Sequence, residues 1–218
     1  DYWHRNYGLT ATWTGSACSG TERAYTWDQA VALTNTVTFA GKSDWRMPNI
    51  RELQTIVDYA VIDPAMDTQV FPNAPASVLW SGSPDAGQSD YAWSVVFQTG
   101  DATPTSRSID FSVRLVRGGP SLALLNIARP TADYVDGGDG TVTHQPTGLV
   151  WQRCLVGQTW SAGTCIGTAR DLTWDEAMAT TSSVAGKTDW RMPTIAELLS
   201  LVDFTKRYPG PTLNGSLF

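Results

Sequence analysis

The sequence predicts an α+β protein built from two related modules, each with two helices packed on a small twisted antiparallel sheet. Three observations predict it. A stretch of sequence occurs twice, as TWDQAVALTNTVTFAGKSDWRMPNIRELQTIVDY over residues 26–59 and as TWDEAMATTSSVAGKTDWRMPTIAELLSLVDF over residues 173–204. Each copy carries two helix-start signals. Short runs of strand-like residues, bounded by Gly, Pro and Asp, surround the helices.

The offset between copies is 174 − 27 = 147 at the first Trp and 189 − 44 = 145 at the Asp of DWRMP. A two-residue deletion in the intervening loop accounts for the change. A period this long means tandem domains rather than a solenoid.

The helices follow from local chemistry. Thr26-Trp-Asp-Gln29 and Thr173-Trp-Asp-Glu176 have the capping-box pattern. There the Thr hydroxyl accepts from a free amide, and the side chain three residues on reaches back. They predict helices over about 27–35 and 174–182. Asn49-Ile-Arg-Glu52 and Thr194-Ile-Ala-Glu197 open a second pair, each just after a Pro. Ile50, Leu53, Ile56 and Val57 have helical spacing, as do Ile195, Leu198, Leu201 and Val202, so helices over 49–59 and its counterpart should bury one face. Residues 141–144 and 148–153 flank Gln-Pro-Thr as a hairpin. Strands are also expected over 92–98, ending at Thr-Gly-Asp, and over 108–116.

The organisation read from these elements is a first, nearly complete module over 1–119, an apolar linker over 120–133, and a second module over 134–218 that is a front half only. Trp3 aligns with Trp151, and copy one lacks the lead-in DGGDGTVTHQPTGLV. Copy two stops near the equivalent of Phe71, 119 − 71 = 48 residues short of copy one. Leaving even ~400 Å² of apolar surface bare costs on the order of 10 kcal/mol, against a total stability of roughly 5–15 kcal/mol. Something is therefore expected to cover copy two: either the chain continues, or a neighbouring subunit supplies the surface by strand addition. The Leu-Ala-Leu-Leu-Asn-Ile core of the linker is expected to pack along one module or between subunits.

A net charge of −6 argues against nucleic acid as a partner, because a phosphate backbone selects a basic surface. The longest apolar run, 122–128, contains Asn126 and is far too short to cross a membrane, so no membrane insertion is expected. No signal peptide is read at the start of the sequence. Ten Trp is high, and most recur at matched positions: Trp3/Trp151, Trp13/Trp160, Trp27/Trp174 and Trp45/Trp190. Matched large rings are read as packing residues. Cys154 and Cys165 flank Trp160 with no His or further Cys nearby, which predicts a disulfide and an oxidising, extracellular or cell-surface setting. The copy-one position matching Cys154 is Asn6, which leaves Cys18 a thiol or bonded outside this sequence.

GKSDWRMPNIRELQTIVDY and GKTDWRMPTIAELLSLVDF, with DGGDGTVTHQPTGLVWQRC ahead and VRLVRGG behind, resemble one family closely. It is the bacterial extracellular domain family named for the C-terminal domain of the Legionella collagen-like adhesin. The resemblance covers almost the whole chain apart from the linker. It implies a variant of the C-type lectin fold, secreted or surface-attached and linked to adhesion. No catalytic set defines the family, so none is carried over.

The candidate ligand site is the stretch 80–93, WSGSPDAGQSDYAW, expected as a loop bearing Trp80, Ser83, Asp85, Gln88, Asp90 and Tyr91. It corresponds to the ligand-facing region of C-type lectin folds, and loops on a rigid scaffold concentrate binding residues. Trp93 is read as core. Asp136 and Asp139 resemble part of a calcium loop, but a complete one needs more ligands and a closing Glu, so they are read first as a Gly-rich turn. No other cofactor is expected. Asp44-Trp-Arg46 and Asp189-Trp-Arg191 are read as structural, with each Arg meeting carbonyls or a helix acid such as Glu52 or Glu197. His4 and His144 have no nucleophile or metal-ligand spacing, and an enzyme is not expected. The functional expectation is a non-catalytic binding or adhesion protein whose partner is a glycan or a surface protein. The alternative is a structural subunit of a filament or surface assembly of identical subunits.

Overall fold

The computed structural model describes residues 2–3, 12–34, 36–118, 127–207 and 212–218. The core of the apolar linker, 121–126, and His4 lie outside them. The chain divides into two units, Asp1–Ile127 with Phe204–Gly210, and Ala128–Asp203 with Pro211–Phe218. Both mix helices with small antiparallel sheets, an α+β architecture.

In the first unit, β1 (Tyr2–Trp3), β2 (Thr12–Trp13) and β3 (Cys18–Ser19) precede α1 (Trp27–Thr34) and α2 (Ile50–Gln54). The meander β4 (Val78–Pro84), β5 (Tyr91–Val96) and β6 (Asp101–Ser106) follows, then β7 (Val116–Arg117), which pairs back onto β1. Both expected caps form. Gln29 and Thr26 exchange bonds at the start of α1, and Asn49 and Glu52 do so at α2. Helix α1 packs on β4, and α2 packs on β4 and β5. The contact buries Tyr25, Ala30, Trp45, Met47, Trp80, Val113 and Leu115 in one cluster. Gly82 permits this approach, because a Cβ there would lie 3.2 Å from the Met47 Cβ.

The second unit begins with a 3-10 turn, Thr131–Asp133, and a three-stranded sheet of β8 (Tyr134–Asp136), β9 (Thr141–His144) and β10 (Leu149–Gln152), ordered β10-β9-β8. A hairpin of β11 (Gln158–Ser161) and β12 (Thr164–Gly167) follows, then α3 (Trp174–Ala179) and α4 (Ile195–Leu201). Both capping boxes form here too. The expected hairpin around Gln-Pro-Thr is β9–β10, paired from Leu149↔His144 to Gln152↔Thr141. The core is small: Tyr134, Val142, Leu201 and Leu217, flanked by Trp151 and Phe218. The Cys154–Cys165 disulfide is present, and Cys18 is a buried thiol.

Three elements differ from the sequence reading. Helix α2 stops at Gln54 rather than running to 59. The Thr55 amide and hydroxyl both return to the Glu52 carbonyl, and Ile56 and Val57 donate to carbonyls three residues back, so the chain tightens into 3-10-type turns. Helix α3 ends three residues before 182, where the Thr180 hydroxyl donates to the Glu176 carbonyl. The stretch 108–116 is not a continuous strand. Its backbone is divided among Tyr25, Leu79 and Arg46, which bridge Phe111, Ser112 and Val116 in turn.

Candidate functional site

The stretch 80–93 is mostly strand, not loop. Residues 80–84 lie on β4 and 91–93 on β5, leaving a tight corner over 85–90. Trp80 is fully buried, donates its indole N–H to the Tyr25 carbonyl at 2.9 Å and packs on Phe111. Ser83 is buried as well, and its Oγ accepts the amide of Ile50, the first residue of α2, at 3.0 Å. Trp93 is core, as expected, edge-on to Phe204.

The rest of the candidate set sits on the corner. Asp85 is buried. One carboxylate oxygen accepts the Gly87 amide at 3.0 Å, while Oδ2 has no hydrogen-bond partner among the described residues. The Asp85 amide donates to the Tyr91 carbonyl and the Tyr91 amide to the Gln88 carbonyl, so the corner is held by its own backbone. Asp90 is exposed, and Gln88 and Tyr91 are half-buried. The structure therefore separates the six residues: Trp80 and Ser83 face inward, and Asp85, Gln88, Asp90 and Tyr91 gather at the turn.

Arg107 is the part of this corner that sequence reading missed. Its guanidinium donates to the Ser89 carbonyl at 2.9 Å, and its amide donates to the Asp90 carbonyl at 2.8 Å. The same guanidinium pairs with Asp28 and lies 4.0 Å from the centre of the Trp27 ring. Nothing in RSIDFSVR marks that role, because its partners are 18 and 79 residues away. On the other flank, Arg207 lies so close to Gly87 that a Cβ there would meet its Cγ at 2.3 Å. The corner thus presents carboxylate, amide and phenol groups between two arginines. It can accept hydrogen bonds from a hydroxyl-rich or amine-bearing ligand and offer one aromatic face.

Asp136 and Asp139 are engaged locally. Asp136 accepts the Gly138 amide and pairs with Arg153 at 2.8 Å. Asp139 accepts both the amide and the hydroxyl of Thr141, and that hydroxyl is the main cause holding its carboxyl below the usual range. Among the described residues no group of three His, Cys, Asp or Glu could hold a metal ion.

The two DWR motifs are structural clasps. Arg46 binds Glu52 through both guanidinium nitrogens, and Arg191 binds Glu197 in the same way. Trp45 and Trp190 donate to the carbonyls of Phe39 and Val184. The second unit also has a groove of about 410 Å³ whose lining includes Asp139, Gln152, Gln158, Trp160 and Ser182. Arg153 stacks on Trp160 at 4.3 Å, and Gln152 donates to Ser182 at 3.0 Å.

One family model, that of the Lcl C-terminal domain, matches residues 3–117 and 140–218. The two segments coincide with the two copies of the repeat. No curated protein matches the chain.

Proposed function

The chain belongs to the Lcl C-terminal domain family, and from that premise we propose that it is a non-catalytic binding or adhesion protein of a bacterial surface, with C-type-lectin-like modules. The family and the Cys154–Cys165 bridge point to an extracellular domain. No described helix is long and apolar enough to cross a membrane. The observation that carries the binding role is the β4–β5 corner. It sets Asp85, Gln88, Asp90 and Tyr91 together on a turn that is braced by Arg107 and rooted in the core through Trp80. Acceptors on a rigid turn beside an aromatic ring suit a glycan or a polar patch on a surface protein. Binding uses no cofactor in this reading, and a chelator arm tests whether calcium contributes.

A glycan and surface-protein array tests the proposal, with wild type compared against Tyr91→Ala and Gln88→Ala. Gln88 lies on the turn and Tyr91 opens β5 beside it, both only half-buried, so a loss of binding reports contact rather than unfolding. Equal binding by all three proteins would remove the corner from the account.

A second reading is favoured by a different observation. Trp174, Met178, Ile195 and Leu198 of α3 and α4 are exposed. Apolar helix faces left open in this way mark an interaction surface. In this reading the chain is a structural subunit of an extracellular assembly, and a neighbour packs on that exposed face. Electron microscopy and light scattering of the purified protein test it, and a monomer at micromolar concentration would contradict it.

A further inference from the structure

We propose that residues 204–207 form a strap over the β4–β5 corner that conceals Asp85, and that Asp85 is the carboxylate that receives a neutral, hydroxyl-bearing ligand once Arg207 moves off Gly87. This builds on the corner being the binding site, and it adds which group meets the ligand and what controls access to it.

Asp85 is 4% exposed, and its carboxylate is only half used. One oxygen accepts the Gly87 amide at 3.0 Å, while Oδ2 is buried with no hydrogen-bond partner among the described residues. A buried acceptor left unmet is costly and rare in a folded protein. The neighbouring Pro84 and Ala86 are both exposed, so the carboxylate is hidden in a turn that is otherwise at the surface.

The segment Phe204–Gly210 belongs to the first unit by its contacts. Phe204 anchors it. The ring is 3% exposed, edge-on to Trp93 at 4.9 Å, with the Arg51 guanidinium 5.0 Å from its centre. Trp93 lies two residues along β5 from Tyr91, where the corner closes. Three residues after Phe204, Arg207 lies on Gly87. A Cβ at Gly87 would meet the Cγ, Cβ and Cα of Arg207 at 2.3, 3.2 and 3.3 Å. Arg207 therefore sits on the residue whose amide Asp85 holds. It does so without satisfying Oδ2, so the strap closes the site and leaves its acceptor unspent.

The repeat shows that this use of the stretch is particular to copy two. Residues 57–62 read VDYAVI and residues 202–207 read VDFTKR, at an offset of 204 − 59 = 145. In copy one Tyr59, Val61 and Ile62 are 41%, 43% and 75% exposed. In copy two the ring is buried, and Lys206 and Arg207, both exposed, replace the two apolar residues. Arg207 thus brings a positive charge to a corner that carries two carboxylates. The same charges select the ligand. Lys206 and Arg207 disfavour a cation, and Asp85 and Asp90 disfavour an anion. A neutral sugar hydroxyl donates to Oδ2 and brings no charge of its own.

The test uses the full 218-residue chain and two variants that open the strap from opposite sides. Gly87→Ala places a methyl group where Arg207 lies, at a residue outside the left-handed region, and Arg207→Ala removes the side chain. Carbodiimide with glycinamide, read by peptide mass mapping, reports access to Asp85, with the exposed Asp90 as internal standard. Asp90 should label in all three proteins and Asp85 only in the two variants. On an array of neutral glycans both variants should bind on the order of tenfold more tightly than wild type, as when a competent state populated at about a tenth becomes dominant. Asp85→Asn in the Arg207→Ala background, which can keep the Gly87 bond but turns the second oxygen into a donor, should lose that gain. Asp85 labelled in wild type, or unlabelled in both variants, would overturn the strap as its cover. Labelling with unchanged affinity would overturn Asp85 as the group that meets the ligand. A gain confined to amine-bearing glycans would overturn the neutral ligand. The corner itself is judged apart: it fails as the binding site if Tyr91→Ala and Gln88→Ala bind as wild type does, whatever the labelling of Asp85.

Discussion

Arg46 grips Glu52 through two guanidinium–carboxylate bonds of 2.7 and 2.6 Å, and the carboxylate beneath it is 1% exposed. That carboxylate also accepts the Asn49 amide, so the pair sits at the N-terminus of α2 and ties DWRMP to the helix it introduces. The second copy repeats the bond between Arg191 and Glu197 at the surface, with side chains 61% and 21% exposed. Hydrogen bonding to Glu52 raises Arg46 above its ordinary value, against the opposing effect of burial.

The two clasps are predicted to differ in worth. Removing Arg46 strands a buried carboxylate, so Arg46→Ala should destabilise the first unit by about 3 kcal/mol. Arg191→Ala breaks the same bond in water and should shift unfolding only slightly. Denaturant unfolding of both variants checks the contrast, and equal losses would contradict it.

Acid should act on the second clasp in a defined direction. The Arg191 bond, then the Thr194 amide, holds the Glu197 carboxyl down at about 2. A carboxyl lower in the folded than in the unfolded state stabilises fully above its ordinary pKa, and that contribution disappears as pH falls toward the folded value. The difference in stability between wild type and Glu197→Gln should therefore be constant above about pH 5 and shrink between about pH 4 and 2. A difference independent of pH would show that the clasp does not titrate in this way.

Trp80→Ala removes a large, fully buried side chain of the first unit and one of the two hydrogen bonds that the Tyr25 carbonyl accepts, leaving that from the Phe111 amide. A loss of about 3–5 kcal/mol is expected in chemical denaturation. Trp174→Ala, at the start of α3 in the second unit, should cost little because its ring is exposed.

The bridge between Cys154 and Cys165 closes a short loop, and its loss should cost about 3 kcal/mol in the chain-entropy view. Intact mass before and after reduction should differ by one bridge, and Cys165→Ser should lower the unfolding midpoint. Free thiols at both positions in the purified protein would contradict the structure.

Much of this was legible because it is local or repeated. The four capping boxes involve residues three apart, and the DWR clasps span six residues with the same spacing in both copies. Of the β4–β5–β6 sheet only β5 was legible, as the strand expected over 92–98; β4 and β6 were not. WSGSP reads as a loop because it is rich in Ser, Gly and Pro. Yet Gly82 is what lets β4 approach Met47, and Ser81 and Ser83 are spent on the Trp93 carbonyl and the Ile50 amide. DATPTS hides β6 behind polar residues and Pro104, which an edge strand tolerates because one face of its ladder is open. The candidate site was mislaid for the same reason. Period-two alternation could not reveal that Trp80 and Ser83 turn inward while Asp85 to Tyr91 form the corner.

The most direct measurement of the binding account is an NMR or hydrogen-exchange footprint of whichever glycan or surface protein the array returns. The account predicts that amides over 85–91 and that of Arg107 shift or gain protection, while the second-unit groove around Trp160 is unchanged. A footprint centred on Trp160, Gln152 and Ser182, with 85–91 unaffected, would contradict it.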